Sequence, residues 1–190
     1  MNQDRVLDLF RKSGALLEGH FRLSSGLHSD RYLQSALVLQ YPEFAEALGQ
    51  ALAERTRHMQ PTVVLSPALG GIVIGQEVGR ALGVRAIFAE RQDGTLTLRR
   101  GFTLDASDRV IVVEDVITTG GSTRETVAVA EALGALVTGA AAIDDRGSDP
   151  ARLNLPTQSL VRLDVPTYSA DTCPLCAKSV PVVKPGSRAV

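Results

Sequence analysis

The chain has 190 residues, a hydrophobic fraction of 44%, a charged fraction of 22% and a formal net charge of −1. Length and composition fit one globular domain with a sizeable core, and the near-neutral charge argues against a nucleic-acid-binding surface as its main purpose. No apolar run approaches the ~20 residues of a membrane span, the acid-bearing opening MNQDRVLDLFRK reads as an amphipathic helix rather than a signal peptide, and two cysteines, both near the end, fit a reducing cytoplasm.

Val6, Leu9 and Phe10 recur at helical spacing and predict a first helix ended at Ser13-Gly14. From Gly19 to Tyr32 the chain is too polar and turn-rich for a core element. Phe21 and Leu23 alternate as a strand would and Ser25-Gly26 reads as a turn, which makes a surface hairpin. Pro42 opens an amphipathic helix with Phe44, Leu48, Ala51 and Leu52 on one face. Residues 62–65 form a buried strand that runs into Ser66-Pro67-Ala68-Leu69-Gly70-Gly71, and a helix follows from about Ile72 to Leu82, closed by Gly83. A glycine-rich turn between strand and helix can take an anion, because free N–H groups and the helix dipole converge there. Residues 84–89 are a third strand. Asp93-Gly94 is then a hairpin turn signal, and Arg91, Arg99 and Arg100 gather around it in a chain whose only lysines are Lys12, Lys178 and Lys184.

Residues 110–122, VIVVEDVITTGGS, hold the densest chemistry. Val110 to Val113 read as a strand buried on both faces, followed at once by Glu114 and Asp115 and by a loop of small residues and hydroxyls. Ser122 and Glu125 have capping-box spacing, so a helix begins there and stops at Gly134. Neither Gly-Lys-Ser/Thr nor GxGxxG is present, which sets aside the P-loop and dinucleotide fingerprints. Carboxylates repel phosphate, so the acid pair should face the vicinal hydroxyls of a sugar or a hydrated Mg²⁺, while the loop faces a phosphate. A ribose 5-phosphate fits both ends.

Residues 136–143 form the next buried strand, ending at Asp144-Asp145-Arg146-Gly147, and residues 160–165 a last one. Arg146 has two readings: a bidentate clamp for a carboxylate ligand, or an ion pair with the adjacent aspartates. The tail carries one Cys-x-x-Cys, Cys173 and Cys176, which is half a zinc site with no second pair or nearby His to complete it in the sequence. A second copy of the chain could supply the other half, or the pair could be redox-active; two reduced thiols in a turn is the plainest reading. Alternating strands and helices predict an α/β fold, a mainly parallel sheet with helices on both faces.

The run at 110–122 resembles the phosphoribosyl-pyrophosphate (PRPP) signature of the type I phosphoribosyltransferases. Residues 21–29, matching F-x-L-x-S-G-x-x-S with Tyr32 shortly after, resemble the N-terminal segment of the orotate phosphoribosyltransferases. The resemblance, which spans about Gly19 to Arg146, implies a type I phosphoribosyltransferase fold in one domain: an N-terminal helix and hood over 1–40, an α/β core over 41–165 and an irregular tail over 166–190. It implies transfer of a phosphoribosyl group from PRPP to orotate, with Mg²⁺, in a cytoplasmic homodimer. Glu114 and Asp115 would bind the ribose hydroxyls and metal-bound water, Val116, Ile117 and Arg91 would also contact PRPP, and Thr118, Thr119, Gly120, Gly121 and Ser122 would hold its 5-phosphate. Ala68, Leu69, Gly70 and Gly71 would hold the pyrophosphate, with the Ala68–Leu69 peptide often cis in the family. Thr118 and Arg146 would hold orotate.

The chain departs from better-known members in its basic residues. Gly70 and Ser24 stand where those have lysine, and the hairpin around Arg91-Gln92 looks shorter and lacks lysine. Arg91, Arg99 and Arg100 are therefore the candidates to neutralise the leaving pyrophosphate. Two alternatives stay open at this stage: a purine phosphoribosyltransferase, and a PRPP-sensing regulator without catalysis, although the chain has no basic extension for DNA.

Overall fold

The computed structural model describes residues 1–23, 25–147, 153–162 and 166–185. Its centre is a six-stranded sheet in the order β5-β4-β3-β6-β7-β8, built from β3 (Val63–Pro67), β4 (Arg85–Gln92), β5 (Thr95–Leu98), β6 (Arg109–Ile117), β7 (Leu136–Asp145) and β8 (Thr157–Val161). Every pairing is parallel except that of β4 with β5, a hairpin on the sheet edge. A mainly parallel sheet is thus borne out. The last strand lies earlier than the sequence predicts, and residues 163–165 fall outside the described residues.

The strands are apolar throughout because both faces are covered. Val64, Ile111, Val113, Ala141 and Ile143 belong to one core, shared with the helices α1 (Gln3–Lys12), α2 (Ser35–Leu39), α3 (Pro42–Thr56) and α4 (Gly70–Leu82). Val63, Leu65, Val110, Val112, Ala140 and Ala142 belong to the other, covered by α5 (Gly121–Ala132). Successive residues of a strand point to opposite faces, which is why neighbours such as Ile111 and Val112 serve different cores. The α1 residues Val6, Leu9 and Phe10 are buried in the first core, so the N-terminal helix belongs to the main body.

Apart from this body stands a two-stranded antiparallel hairpin, β1 (Leu16–Arg22) with β2 (His28–Leu33). A lone hairpin is marginal in water, and this one is held on both edges by the C-terminal tail. Val183 bridges to Phe21 beside β1, and Tyr168 bridges to His28 beside β2. Between them the tail forms a short helix, α6 (Pro174–Ala177).

Two helix starts differ from the sequence reading. α4 begins at Gly70 rather than near Ile72. The predicted capping box of Ser122 and Glu125 does not form: Gly120 is the N-cap at φ +75°, with no side-chain cap. Glu125 instead pairs with Arg91 at 2.9 Å, since a carboxylate gains more from a cation than from the remaining backbone donor.

Candidate functional site

β3 leads through α4 to β4 on one side, and β6 leads through α5 to β7 on the other, so the strand order reverses between β3 and β6. Ligands bind at such switch points, beyond the carboxyl ends of the strands. Here β6 outlasts its neighbour. Its pairing with β3 ends at Val112, while its pairing with β7 continues to Ile117. Both acids therefore lie inside the strand rather than after it, as the sequence reading has them, and extended backbone sends them to opposite faces.

Glu114 goes to the α5 face. It is buried, and the Thr123 hydroxyl in the first turn of α5 donates to its Oε1 at 2.6 Å. This bond ties the strand to the helix that follows the loop, and so sets the loop's angle. Asp115 goes to the α4 face, against the first residue of that helix. A Cβ on Gly70 would lie 2.7 Å from Asp115 Oδ1. Glycine is needed here because nothing larger fits without displacing the carboxylate, and this accounts locally for the absent lysine. Among the described residues no cation lies within ion-pair distance of Asp115. Burial pushes its carboxyl up from the usual range, against the opposing pull of the Val116 and Asp115 N–H groups, the Ser35 hydroxyl and Arg146. That Ser35 hydroxyl is buried beside it without closing a hydrogen bond. A half-buried carboxylate beside a buried hydroxyl that closes no hydrogen bond is a site prepared for a ligand.

Thr118 and Thr119 are exposed at the head of the loop, and α5 starts two residues later. Its first N–H groups have no partner within the helix and carry the positive end of the dipole. Arg124 Nη1 donates to Thr119 O at 3.0 Å and braces the loop from behind. Gly120 closes it in the left-handed region, and a Cβ there would lie 2.5 Å from Leu153 Cδ2. Gly120→Ala should cost about 1–2 kcal/mol in backbone strain alone. A thermal melt a few degrees lower, with ligand binding at the loop weakened, is the expected result.

Across the crevice, Arg146 follows β7. Its Nε donates to Asp144 Oδ2 at 2.6 Å, its guanidinium lies 5.5 Å from the Tyr32 ring centroid, and Nη2 reaches Leu33 O at 3.4 Å. The ion pair with an adjacent aspartate is thus present, and it aims the arginine at the hood. Tyr32 sits close enough to Asp115 and Arg146 for both to act on its phenol, which burial pushes up and Arg146 pulls down. Tyr32, Ser35, Asp115 and Arg146 therefore face one another.

The other turn is also formed. The Ala68–Leu69 peptide is cis, as the resemblance implies, and Leu69 stands 81% exposed above Gly70 and Gly71. The hairpin arginines lie in exposed ion pairs, Arg91 with Glu125, and Arg99 and Arg100 with Glu90 at 3.5 and 3.0 Å. Such pairs are weak, so these side chains are available to a stronger anion.

Sequence reading missed Ser35 and Thr123, which carry no motif. It also missed what surrounds the cysteines. His20 and His28 of the hairpin lie beside Cys173 and Cys176, with all four ligand atoms within 4.8 Å of one another. Four possible ligands thus meet within the chain, contrary to the expectation from spacing.

No family model matches the chain. Orotate phosphoribosyltransferases from Desulforamulus reducens and Pelotomaculum thermopropionicum are each 48% identical over 190 residues, all of this chain and all of theirs. One from Chlorobaculum parvum is 50% identical over 188 residues, covering 99% of this chain and 97% of its own. Among solved structures, the orotate phosphoribosyltransferase of Aeropyrum pernix superposes with a TM-score of 0.71 at 25% identity, covering 83% of this chain and 93% of that one. The Mycobacterium tuberculosis H37Rv enzyme in complex with inorganic phosphate gives a TM-score of 0.69 at 24% identity, over 84% and 94%. Similarity of this degree, sustained from end to end, makes the chain a member of the orotate phosphoribosyltransferases.

Proposed function

We propose that the protein transfers the 5-phosphoribosyl group of PRPP to orotate, giving orotidine 5′-monophosphate and pyrophosphate in pyrimidine biosynthesis. The observation that carries this reading is the placement of Asp115, half-buried at the switch point with no ion-pair partner among the described residues, between the loop 118–122 and the turn 68–71. Full-length relatives of the same name support it.

The chemistry follows from charge. Breaking the bond from C1 of the ribose to pyrophosphate leaves an electron-poor, oxocarbenium-like sugar and builds negative charge on the leaving group. In our reading Asp115 accepts hydrogen bonds from the ribose hydroxyls, and its negative charge lies on the sugar side where positive charge develops. Glu114, turned away and bonded to Thr123, positions the loop. The N–H groups of the loop and of the first turn of α5 hold the 5-phosphate, and those at Gly70 and Gly71 receive the pyrophosphate. Orotate lies between Thr118, Tyr32 and Arg146, where the guanidinium takes its carboxylate and the ring nitrogen is set against C1.

Asp115 stands directly before Gly70, so a carboxylate and a pyrophosphate would crowd one another there. The donor set suits Mg²⁺, which would be held mainly by PRPP oxygens and water and would screen the leaving group from that carboxylate. The Gly70 position leaves the remaining neutralisation to the β4–β5 hairpin. Arg91→Ala or Arg100→Ala should lower turnover more than PRPP binding, with wild-type turnover in both as the contrary result; steady-state kinetics separates the two.

A homodimer in the cytoplasm completes the proposal, on the strength of the family resemblance, and light scattering after size exclusion checks the first part. The deciding experiment follows orotidine monophosphate formation with orotate, PRPP and Mg²⁺. Product with orotate and none with hypoxanthine or xanthine supports the assignment. The reverse preference, or PRPP binding without turnover, defeats it.

A further inference from the structure

We propose that His20, His28, Cys173 and Cys176 form a tetrahedral zinc site that clasps the hood hairpin to the C-terminal tail. The four come from β1, β2 and the start of α6, separated by about 150 residues of sequence. His20, His28 and Cys173 are 3%, 6% and 2% exposed. His20 Nε2 lies 2.8 Å from His28 Nδ1, 3.5 Å from Cys173 Sγ and 3.7 Å from Cys176 Sγ, and Cys176 Sγ lies 3.2 Å from His28 Nδ1. Ligands at about 2.0–2.1 Å for nitrogen and 2.3 Å for sulfur, arranged tetrahedrally around zinc, are themselves about 3.3–3.8 Å apart. The separations bracket that figure, from 2.8 Å between the two imidazole nitrogens to as much as 4.8 Å across the cluster, so an ion at the centre would move the imidazoles apart and draw the farthest ligand in by about 1 Å.

Proton placement points the same way. His20 Nδ1 lies 2.7 Å from the Val180 carbonyl, which can only accept, so Nδ1 carries the hydrogen and Nε2 presents a bare lone pair to the cluster. A backbone carbonyl that fixes the tautomer of a ligating histidine is the usual outer partner of a zinc site. Three groups converge on that lone pair, and a single shared proton satisfies one of them at a time. A divalent ion satisfies all four, and two thiolates with two neutral imidazoles leave the buried site without net charge. Two nitrogens and two sulfurs at tetrahedral spacing favour zinc over magnesium or calcium, which take oxygen.

The consequence is structural. The hairpin has a marginal fold of its own, and its tail contacts at Val183 and Tyr168 are backbone bridges at the sheet edges. A metal cross-link would fix both strands to the tail through their side chains at the turn end of the hairpin, and Tyr32, on β2, would be held over the crevice. This claim is independent of the orotate reading, since metal content is measured without substrate.

The test is elemental analysis of the full-length protein, purified without chelator and passed over a metal-chelating resin. About one zinc per chain is expected. Replacement by Co²⁺ should give the intense d–d bands of a tetrahedral centre and a thiolate-to-metal charge-transfer band. Cys176→Ser, at the more exposed thiol, should weaken that band about twofold while the protein stays folded. Zinc far below stoichiometric in both the isolated and the zinc-supplemented protein would overturn the proposal. So would an octahedral cobalt spectrum, or two thiols that react freely with a thiol reagent in the zinc-supplemented native state. The wild-type spectrum decides the matter even where a variant fails to fold.

Discussion

Asp115→Asn is expected to remove activity and to stabilise the fold at neutral pH. The loss follows from the role assigned to the carboxylate: an amide presents half the acceptor capacity to the ribose hydroxyls and no negative charge to the electron-poor sugar. About a thousandfold in kcat/KM, ~4 kcal/mol, is the scale for removing such a group. The gain follows from burial, which disfavours the ionised carboxyl and holds its pKa above the ordinary 3.8. A raised carboxyl binds more protons folded than unfolded, so wild-type stability from this group is greatest below 3.8 and falls as pH rises through the folded value. The variant lacks that dependence. Its melting temperature should exceed that of the wild type by a margin that opens above pH ~4 and then levels off. Thermal melts of both proteins across that range, with kinetics at neutral pH, check the two halves separately. A variant no more stable than wild type would mean that Asp115 is a satisfied structural group.

The second large effect belongs to Arg146. Arg146→Lys should raise the KM for orotate by about 10- to 100-fold, ~1.5–3 kcal/mol for bonds to a charged group, and leave the KM for PRPP near that of wild type. Lysine keeps the charge beside Asp144 but loses the planar fork and the stacking on Tyr32. Arg146→Ala is less informative, because Asp144 is wholly buried and would lose its 2.6 Å ion pair, so a fall in stability would be mixed with the effect on orotate. Initial-rate kinetics against each substrate reads the distinction. Equal rises in both constants would place Arg146 in general support of the site.

Much of the fold was legible because its strands declare themselves. Val63 to Leu65 and Val110 to Val113 are continuous apolar runs, and only a sheet covered on both faces asks for those. The acid pair and the loop after it were legible as chemistry, because two carboxylates beside a glycine turn have few uses in a core. Their division between two faces was not. It depends on how far β6 continues, and that is set by Val116 and Ile117 pairing with Asp144 and Asp145, a contact between distant residues. The capping box failed because α5 begins at Gly121, with Gly120 as its N-cap, which puts Ser122 inside the first turn and leaves Glu125 to Arg91 of another strand. The histidines were invisible as ligands. His20 and His28 are eight positions apart with no metal-binding spacing, and only the path of the tail across the hairpin brings the cysteines to them.

The most direct test of the account is a crystal structure with PRPP and Mg²⁺ bound. The account predicts the 5-phosphate on the amides of the loop 118–122, the pyrophosphate at Gly70 and Gly71, and the ribose hydroxyls within hydrogen-bond reach of Asp115. A phosphoribosyl group lying anywhere else, with Asp115 still closed against Gly70, would contradict it.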